Sequence, residues 1–280
     1  DEVSYSITVS ELAKVCASTS VIVSAHTSLC CWPIYKYGTE DQKMKYLPEL
    51  LSGKKLGAFG LTEPNAGTDA SGQQTRAELD GDEWVLNGAK CFITNGGYAE
   101  VFVVMAMTDK SKGNHGISAF IVEKNDPGFS IGKTEDKMGI CASSTTELIF
   151  QNCRIPKDRL LGGLGKGFKV AMQTLDGGRI GIASQALGIA EGALEVTIEY
   201  MKQRKQFGKK LAQMQALQFV VADLATKVEA AKLLVLKSAF CEDAGLPYGV
   251  PAAMAKLFAA ETAMEVTTKC VQLHGGYGYT

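Results

Sequence analysis

The sequence predicts an α+β multi-domain protein in which helices come first, an antiparallel β-domain (a barrel or a sandwich) follows, and a helical bundle comes last. Two observations carry this prediction. Apolar residues recur at helical spacing near both ends of the chain, and they alternate or form short runs in its middle. The predicted boundaries are 1–55, 56–157 and 158–280. Both outer segments break off inside a pattern, so we expect a fragment whose two helical domains are partial.

The first segment is predicted to be helical. Residues 21–29 form an apolar run, and residues 40–51 place Met44, Leu47 and Leu50 at helical spacing. Pro33 lies between the two and marks a break.

The middle segment changes to strand-like patterns. Trp84 and Leu86 alternate with more polar neighbours, whereas 101–106 and 117–122 are short apolar runs suited to buried strands. Asp-Gly at 80–81 is a hairpin signal. Because no long helical pattern interrupts these strands, we expect an antiparallel β-domain rather than a Rossmann domain.

The last segment returns to helical spacing. Apolar residues over 168–175 and 217–235 recur in steps of three and four, which is typical of a bundle core. A further helix is predicted over 251–273, with Pro251 suited to its first turn.

Composition excludes several function classes. The 280 residues are 46% apolar, so we expect a sizeable core. Their formal net charge is −1, so the chain has no overall electrostatic field that attracts nucleic acid or a membrane surface. No apolar run reaches 18 residues. The eight cysteines lack C-x-x-C spacing and only three histidines are present, which predicts buried thiols in a reducing compartment and no metal site.

Two motifs of the middle segment could bind a ligand. Residues 60–72 combine glycines, threonines and carboxylates in a loop that offers N–H groups and hydroxyls to a polar ligand, although an ordinary glycine-rich turn fits equally well. In 91–97, Phe92 and Thr94 share one face of a strand, which suits a flat heteroaromatic ring. Strand plus turn alone also explains that second motif.

Three motifs of the last segment are also candidates, each with a structural alternative. Residues 175–179 place two glycines inside a helical pattern. Either another group approaches the helix backbone closely there, or the segment is a loose turn. Residues 202–210 gather cations around Phe207, which fits a pyrophosphate grip or a solvated helix end. Residues 272–279 are a glycine-rich helix end, which fits a ligand path or a simple C-cap. No Rossmann, P-loop or nucleophile-elbow fingerprint occurs.

Taken in order, these five motifs resemble the acyl-CoA dehydrogenase family from end to end of the chain. The 60–72 stretch resembles the first family signature, Phe-Ile-Thr at 92–94 the flavin-facing strand, and 272–278 the start of the second signature. Arg-x-x-Phe-Gly at 204–208 matches a family segment as well. The segments 110–117 and 135–139 look most like the bacterial short-chain (butyryl-CoA) branch.

The resemblance implies a helical domain, a β-domain and a four-helix bundle that bind FAD, usually in a homotetramer. It implies contacts of the substrate with Thr68, Asp176 and Arg179. It implies the following cofactor-binding residues: Phe59, Leu61, Thr62, Gly67, Thr68, Phe92, Ile93, Thr94, Arg204, Gln206, Phe207, Gln215, Gln272, Leu273, His274, Gly275 and Gly276.

The implied activity is α,β-dehydrogenation of a short-chain acyl-CoA to the trans-2-enoyl-CoA, with electrons passed to an electron-transferring flavoprotein. The implied compartment is the bacterial cytoplasm, with the mitochondrial matrix as the alternative. Three other functions stay open: an acyl-CoA oxidase, a dehydrogenase for branched or dicarboxylic acyl groups, and a non-catalytic scaffold for flavin or acyl-CoA.

The chain departs from the family at its catalytic base. Most members carry a glutamate beyond the second signature, a point that follows Thr280. A minority carry it just before the arginine of the Asp-x-x-Arg pair, where this chain has Gly178. No catalytic residue is therefore expected among these residues, and we expect the fragment itself to turn over very poorly. Cys141 stands where several relatives have arginine, and nothing in the sequence assigns an effect to it.

Overall fold

The structure, a computed structural model, describes residues 1–280 and divides into two compact units. We call residues Asp1–Val21 with Arg179–Thr280 the helical unit, and Ile22–Gly178 the sheet unit. The two units differ from the three predicted segments, because α2 and α5 each run across a unit boundary. The boundaries at 55/56 and 157/158 therefore stay a prediction.

The order of elements is helices, strands, helices, as predicted. Helices α1–α8 span Glu2–Val15, Ala17–Ser24, Trp32–Tyr37, Glu40–Leu51, Gly167–Gln203, Gln215–Asp243, Gly249–His274 and Gly276–Tyr279. Strands β1–β10 span Gly57–Gly60, Arg76–Asp80, Glu83–Thr94, Val101–Met107, Ile117–Glu123, Phe129–Thr134, Thr145–Pro156, Leu160–Leu161, Lys205–Gln206 and Lys209–Lys210. A π-helix, Ala25–Cys31, joins α2 to α3.

Eight strands form one open sheet in the order β6-β7-β3-β2-β4-β5-β8, with β1 paired to β4 beside this path. Of the two predicted forms, the closed barrel is wrong, because the outermost strands β6 and β8 do not pair. The sheet is also not purely antiparallel. Strands β1 and β2 both run parallel to β4, which the long connections between them permit.

Strand β4 explains why its apolar run is continuous rather than alternating: both of its faces are buried. Alternate residues enter two separate cores of the sheet unit, one shared with α3, α4 and the first turns of α5 and one on the other face of the sheet. The first core takes Val101, Val103 and Met105, and the second takes Phe102, Val104 and Ala106. A strand covered on both sides has no need for polar positions.

The predicted hairpin at 80–81 and the predicted helix over 40–51 are both confirmed. Asp80 pairs with Glu83 across a two-residue loop, in which Gly81 has a φ of 63° that glycine adopts at little cost. Thr39 accepts a hydrogen bond from the Gln42 N–H, and the Gln42 side chain accepts one in return from the Thr39 N–H. This capping box fixes the start of α4.

The helical unit is built on small residues. The predicted stripe over 217–235 buries Leu224, Val228 and Val235 in a core shared with α5 and α7. Helix α1 lies so close to α5 that a Cβ on Gly188 would stand 2.1 Å from the carbonyl oxygen of Ser10. Only glycine allows this approach of the two backbones.

Candidate functional site

A bulge in β3 presents an aromatic ring at the surface of the sheet unit. The register between β3 and β7 shifts between Lys90 and Ile93, and Phe92 has a φ of 60°. Its ring is 63% exposed between the buried Cys91 and Ile93. A non-glycine residue in this region is strained, and bulges and strain of this kind cluster at functional sites.

The glycine-rich motif lies directly beside this bulge. The N–H of Cys91 donates to the carbonyl oxygen of Thr62 at 2.9 Å. We call residues 61–73 the 61–73 loop. Near its start, Glu63 and Ala66 exchange two backbone hydrogen bonds of 3.1 Å, and Thr68 further along is exposed. The structure therefore brings together the first two motifs, which lie about 30 positions apart in the sequence.

The eight sequence-predicted cofactor residues of the sheet unit all lie on β1, the 61–73 loop or the end of β3, but they differ in exposure. Leu61 and Ile93 are 8% and 3% exposed and belong to the two cores, so only their backbone groups can meet a ligand. The exposed or half-buried side chains are Phe59, Thr62, Thr68, Phe92 and Thr94, and Gly67 adds exposed backbone.

A buried ionic network that sequence reasoning missed lies under the 61–73 loop. Lys90 is fully buried, and its Nζ donates to Glu63 Oε1 at 2.7 Å, to Gln73 Oε1 at 3.0 Å and to the Leu61 carbonyl at 3.1 Å. Strand alternation was the available signal, because Trp84, Leu86 and Lys90 fall on one buried face of β3.

The two partners of this network influence each other's ionisation. Burial opposes the charge of Glu63, but the Lys90 cation and the hydrogen bonds to the carboxylate outweigh it and hold the pKa of Glu63 below its ordinary value. Burial lowers the pKa of Lys90 to about 8, against the opposing effect of Glu63. Each charge is tolerated because the other is present.

The helical unit contains a separate cavity of about 650 Å³, within the size range of ligand pockets. The end of α5 and the end of α7 line it, together with the 204–217 segment. The sequence-predicted residues among its lining are Arg204, Gln206, Gln272, Leu273, His274, Gly275 and Gly276.

Aromatic rings and one cation shape this cavity. The Tyr200 and His274 rings stack at 4.4 Å with an interplanar angle of 25°. The Arg204 guanidinium lies 5.5 Å from the centre of the Tyr277 ring. Gly275 ends α7 at a φ of 62°, and a Cβ there would have no atom within 4 Å, so its backbone is open to a ligand. Sequence reasoning missed Tyr200, since only the fold brings α5 beside the end of α7.

Two predicted cofactor residues lie outside the lining of this cavity. Phe207 is 95% exposed with a φ of 54°, at the tip of the hairpin formed by β9 and β10. Gln215 is exposed at the first residue of α6. The basic stretch 202–210 thus leaves α5 and turns back as a two-stranded ribbon. The roles predicted for Phe207 and Gln215 stay predictions.

The third motif is fully helical, because α5 continues through both glycines for 37 residues. Asp176 and Arg179 lie on this helix, each in contact with other groups. A Cβ on Gly178 would stand 2.9 Å from Leu29 Cδ2, so the second glycine gives room to the half-buried Leu29 side chain. Gly178 itself offers no group that could move a proton.

His26 holds the start of β1 and makes the stability of the sheet unit depend on pH. The Gly57 N–H donates to Nδ1 at 2.9 Å, so Nε2 carries the proton and donates to the Leu50 carbonyl at 3.1 Å. Burial lowers the pKa of His26 from its ordinary 6.5. Protonation would place a second hydrogen against the Gly57 N–H.

We expect the free energy of unfolding to fall as the pH drops below about 6.5. In that range His26 becomes protonated in the unfolded chain, whereas its lowered pKa keeps it neutral in the folded protein. The slope should not exceed about 1.4 kcal/mol per pH unit, and partial exposure reduces it. Urea unfolding at pH 7 and pH 5 measures it. His26→Gln should flatten the slope, whereas His115→Gln, at an exposed histidine, should not; equal slopes in all three proteins would refute this role.

All eight cysteines are free thiols, and no group of three or more His, Cys, Asp or Glu side chains could hold a metal ion. No helix has the length and apolar character needed to cross a membrane.

Comparison with known families covers nearly the whole chain. Residues 1–54, 58–153 and 165–280 match the N-terminal, middle and C-terminal domains of acyl-CoA dehydrogenases. The chain is 61% identical to the short-chain specific acyl-CoA dehydrogenase of Clostridium acetobutylicum, with 100% of the chain and 74% of that protein covered. It is 54% identical to an acryloyl-CoA reductase (NADH) of Anaerotignum propionicum, with 98% and 70% covered. It is 51% identical to the mitochondrial short-chain specific enzyme of Bos taurus, with 100% and 68% covered.

Solved structures agree with these relatives. Butyryl-CoA dehydrogenase from Megasphaera elsdenii matches with a TM-score of 0.99 at 58% identity, over 100% of this chain and 73% of that one. A chain in a structure reported for the electron transferring flavoprotein of Acidaminococcus fermentans matches with a TM-score of 0.99 at 60% identity, over 100% and 74%. A glutaryl-CoA dehydrogenase from Mycobacterium smegmatis in complex with FADH2 matches with 0.94 at 36%, over 100% and 71%. The chain belongs to the acyl-CoA dehydrogenase family of oxidoreductases.

Proposed function

We propose that the protein uses FAD to dehydrogenate a short-chain acyl-CoA such as butyryl-CoA to the trans-2-enoyl-CoA, and that its electrons pass to an electron-transferring flavoprotein. One observation carries the proposal: the strained, exposed Phe92 lies beside the 61–73 loop, which offers the polar backbone and hydroxyls that a flat heteroaromatic ring requires. The short chain length and the electron acceptor are supported by the relatives' names.

The residues present fit FAD. In the sheet unit, Phe92 gives a ring face, and Thr62 and Thr94 give half-buried hydroxyls. In the helical unit, Arg204 supplies a cation that favours a pyrophosphate, and Gly275 and Gly276 leave the backbone bare. The groups of the sheet unit suit a flavin ring, and those of the helical unit suit a pyrophosphate.

The chain's own residues would bind and orient the substrate. Thr68, Asp176 and Arg179 are the proposed contacts with the acyl-CoA. When bound, FAD supplies an acceptor for the β-hydrogen, which leaves as hydride. Hydrogen bonds to the thioester carbonyl stabilise the charge that develops when the α-proton leaves.

A carboxylate must take the α-proton, and we propose that it lies outside residues 1–280. Glu63 is buried in its ion pair with Lys90, and Gly178 has no side chain. We expect a glutamate in the natural protein beyond residue 280 whose change to glutamine abolishes turnover but spares flavin binding. Full activity after that change would refute the assignment.

The reverse direction is a second candidate, because one relative at 54% identity bears the name acryloyl-CoA reductase (NADH). The same positioning groups would serve reduction of an enoyl-CoA. An assay of both directions distinguishes the two functions. With NADH, electron-transferring flavoprotein and a short enoyl-CoA, a physiological reductase should reduce the enoyl-CoA faster than it dehydrogenates the acyl-CoA.

We also propose a homotetramer in the cytoplasm of a bacterium. Support for the bacterial source comes from 61% identity to the Clostridium protein against 51% to the mitochondrial one. Sedimentation of the natural protein tests the assembly.

The deciding experiment is an anaerobic titration of the complete natural protein with butyryl-CoA, followed by the flavin absorbance. Bleaching supports both the cofactor and the short-chain substrate. A yellow protein that bleaches only with longer, branched or dicarboxylic acyl-CoA would move the substrate, and one that bleaches with none would favour a scaffold. A protein that takes up no FAD would overturn the cofactor assignment.

A further inference from the structure

Lys90 is among the largest fully buried side chains of the molecule and is the only charged one of them, which requires an explanation. Removing an ammonium from water costs several kcal/mol, and well-packed apolar residues often replace a buried ion pair without loss of stability. Stability therefore does not explain why this position holds a lysine. All three protons of the ammonium are used, each by a different acceptor.

The three acceptors lie at both ends of the 61–73 loop. The Leu61 carbonyl and the Glu63 carboxylate are at its start, and the Gln73 amide oxygen is at its end. Gln73 also donates from Nε2 to the Ala70 carbonyl at 2.9 Å. One ammonium thus closes the loop into a ring, and the exposed residues between its ends take their positions from that closure.

Glu63 extends the closure to the next strand. Its carboxylate accepts from the Gln74 N–H at 2.6 Å and from the Thr75 N–H at 3.1 Å, just before β2 begins at Arg76. The loop and the start of β2 therefore share the same anchor.

The lysine also stands at the start of the bulge. Cys91 follows it and donates to the Thr62 carbonyl, and the exposed Phe92 comes next. The backbone of Lys90 thus belongs to the strand that presents the ring, while its side chain holds the loop beside that ring. No other side chain joins the two segments in this way by an ionic contact.

We propose that Lys90 is a positioning residue for the cofactor: its buried ammonium holds the 61–73 loop against the bulge of β3 in the arrangement that receives the flavin ring. The inference rests on the proposed function, because it presumes that FAD binds here. Without the ammonium, only a fraction of the molecules would present the loop correctly, and the apparent affinity falls by that fraction.

The test is Lys90→Met in the complete natural protein, with removal of FAD and its titration back. We expect the dissociation constant for FAD to rise roughly tenfold or more, and the visible circular dichroism of the bound flavin to change. The matched control is Arg159→Met. Arg159 forms a second buried pair of the sheet unit, with Nη1 2.6 Å from Asp126 Oδ2, and it contacts no residue of the 61–73 loop.

The two variants should lose thermal stability alike but differ in FAD affinity and in the flavin spectrum. A wild-type dissociation constant and spectrum in Lys90→Met, or an equal loss of affinity in Arg159→Met, would overturn the proposal. If Lys90→Met does not fold, Gln73→Met tests the proposal instead, because it removes the hydrogen bond from Lys90 to Gln73 and leaves the Lys90–Glu63 ion pair. It should weaken FAD binding several-fold, and unchanged binding would refute the role.

The outcome also separates this inference from the proposed function. Wild-type protein that bleaches with butyryl-CoA, beside a Lys90→Met variant of unchanged affinity, overturns only the role of Lys90. Wild-type protein that binds no FAD overturns both.

Discussion

Alanine in place of Arg204 is expected to weaken the binding of FAD by roughly 10- to 150-fold, the loss of a charge-assisted hydrogen bond worth about 1.5–3 kcal/mol. Arg204 lines the cavity of the helical unit, where the Tyr277 ring lies 5.5 Å from its guanidinium. A guanidinium held there matches a pyrophosphate in charge and in shape. Fluorescence titration of the apoprotein with FAD measures the change.

Lys209→Ala is the matched control, because Lys209 is an exposed cation of the same basic stretch that lies outside the cavity. Its removal changes the net charge equally but should leave the affinity within about twofold, as expected of a surface charge. Equal losses in the two variants would show that only the overall charge matters. Since Arg204 is exposed, neither change should lower the melting temperature appreciably.

Leucine in place of Gly188 is expected to lower the free energy of unfolding by about 2–4 kcal/mol, despite the better helix propensity of leucine. The first added carbon alone would lie 2.1 Å from the Ser10 carbonyl oxygen and 2.8 Å from Ala13 Cβ. A backbone carbonyl cannot turn aside as a flexible side chain can. Helix α1 would have to move away from α5, which would open the core of the helical unit. Urea unfolding with circular dichroism measures the loss.

Gly139→Leu serves as the control, because a Cβ on Gly139 would have no atom within 4 Å and its φ needs no glycine. That variant should stay within about 0.5 kcal/mol of the wild type. An unchanged midpoint of Gly188→Leu would mean that α1 adjusts at no cost, contrary to the close contact described above.

Local signals in the sequence were sufficient for most of the helices. The structure places α4 at Glu40–Leu51 and α7 at Gly249–His274, against predictions of 40–51 and 251–273. Apolar spacing predicted the first of these helices, and Pro251 in its first turn helped to predict the second. The form of the sheet was harder to predict. Closure into a barrel depends on pairing between strands far apart in the chain, and no local sequence pattern indicates that pairing.

The motifs located the candidate site, but its supporting groups came from the fold. Phe92 and the 60–72 motif could be named from the sequence, whereas the hydrogen bond that joins them could not. Lys90 looked like an ordinary charged strand residue until its position on the buried face of β3 was known. Tyr200 was likewise missed, because its partner His274 lies 74 positions away.

The π-helix at Ala25–Cys31 has an evolutionary consequence. In such a turn the Trp32 N–H bonds to the Thr27 carbonyl, five residues back, so the turn holds one residue more than an α-helix would. Loss of one residue would let this turn close as an ordinary α-turn, whereas gain of one residue would rotate residues 22–26 by about 100° relative to Ile34, which is fully buried. After such a gain, His26 could no longer meet Gly57. Single-residue insertions should therefore be selected against across 25–31, even where substitutions are accepted.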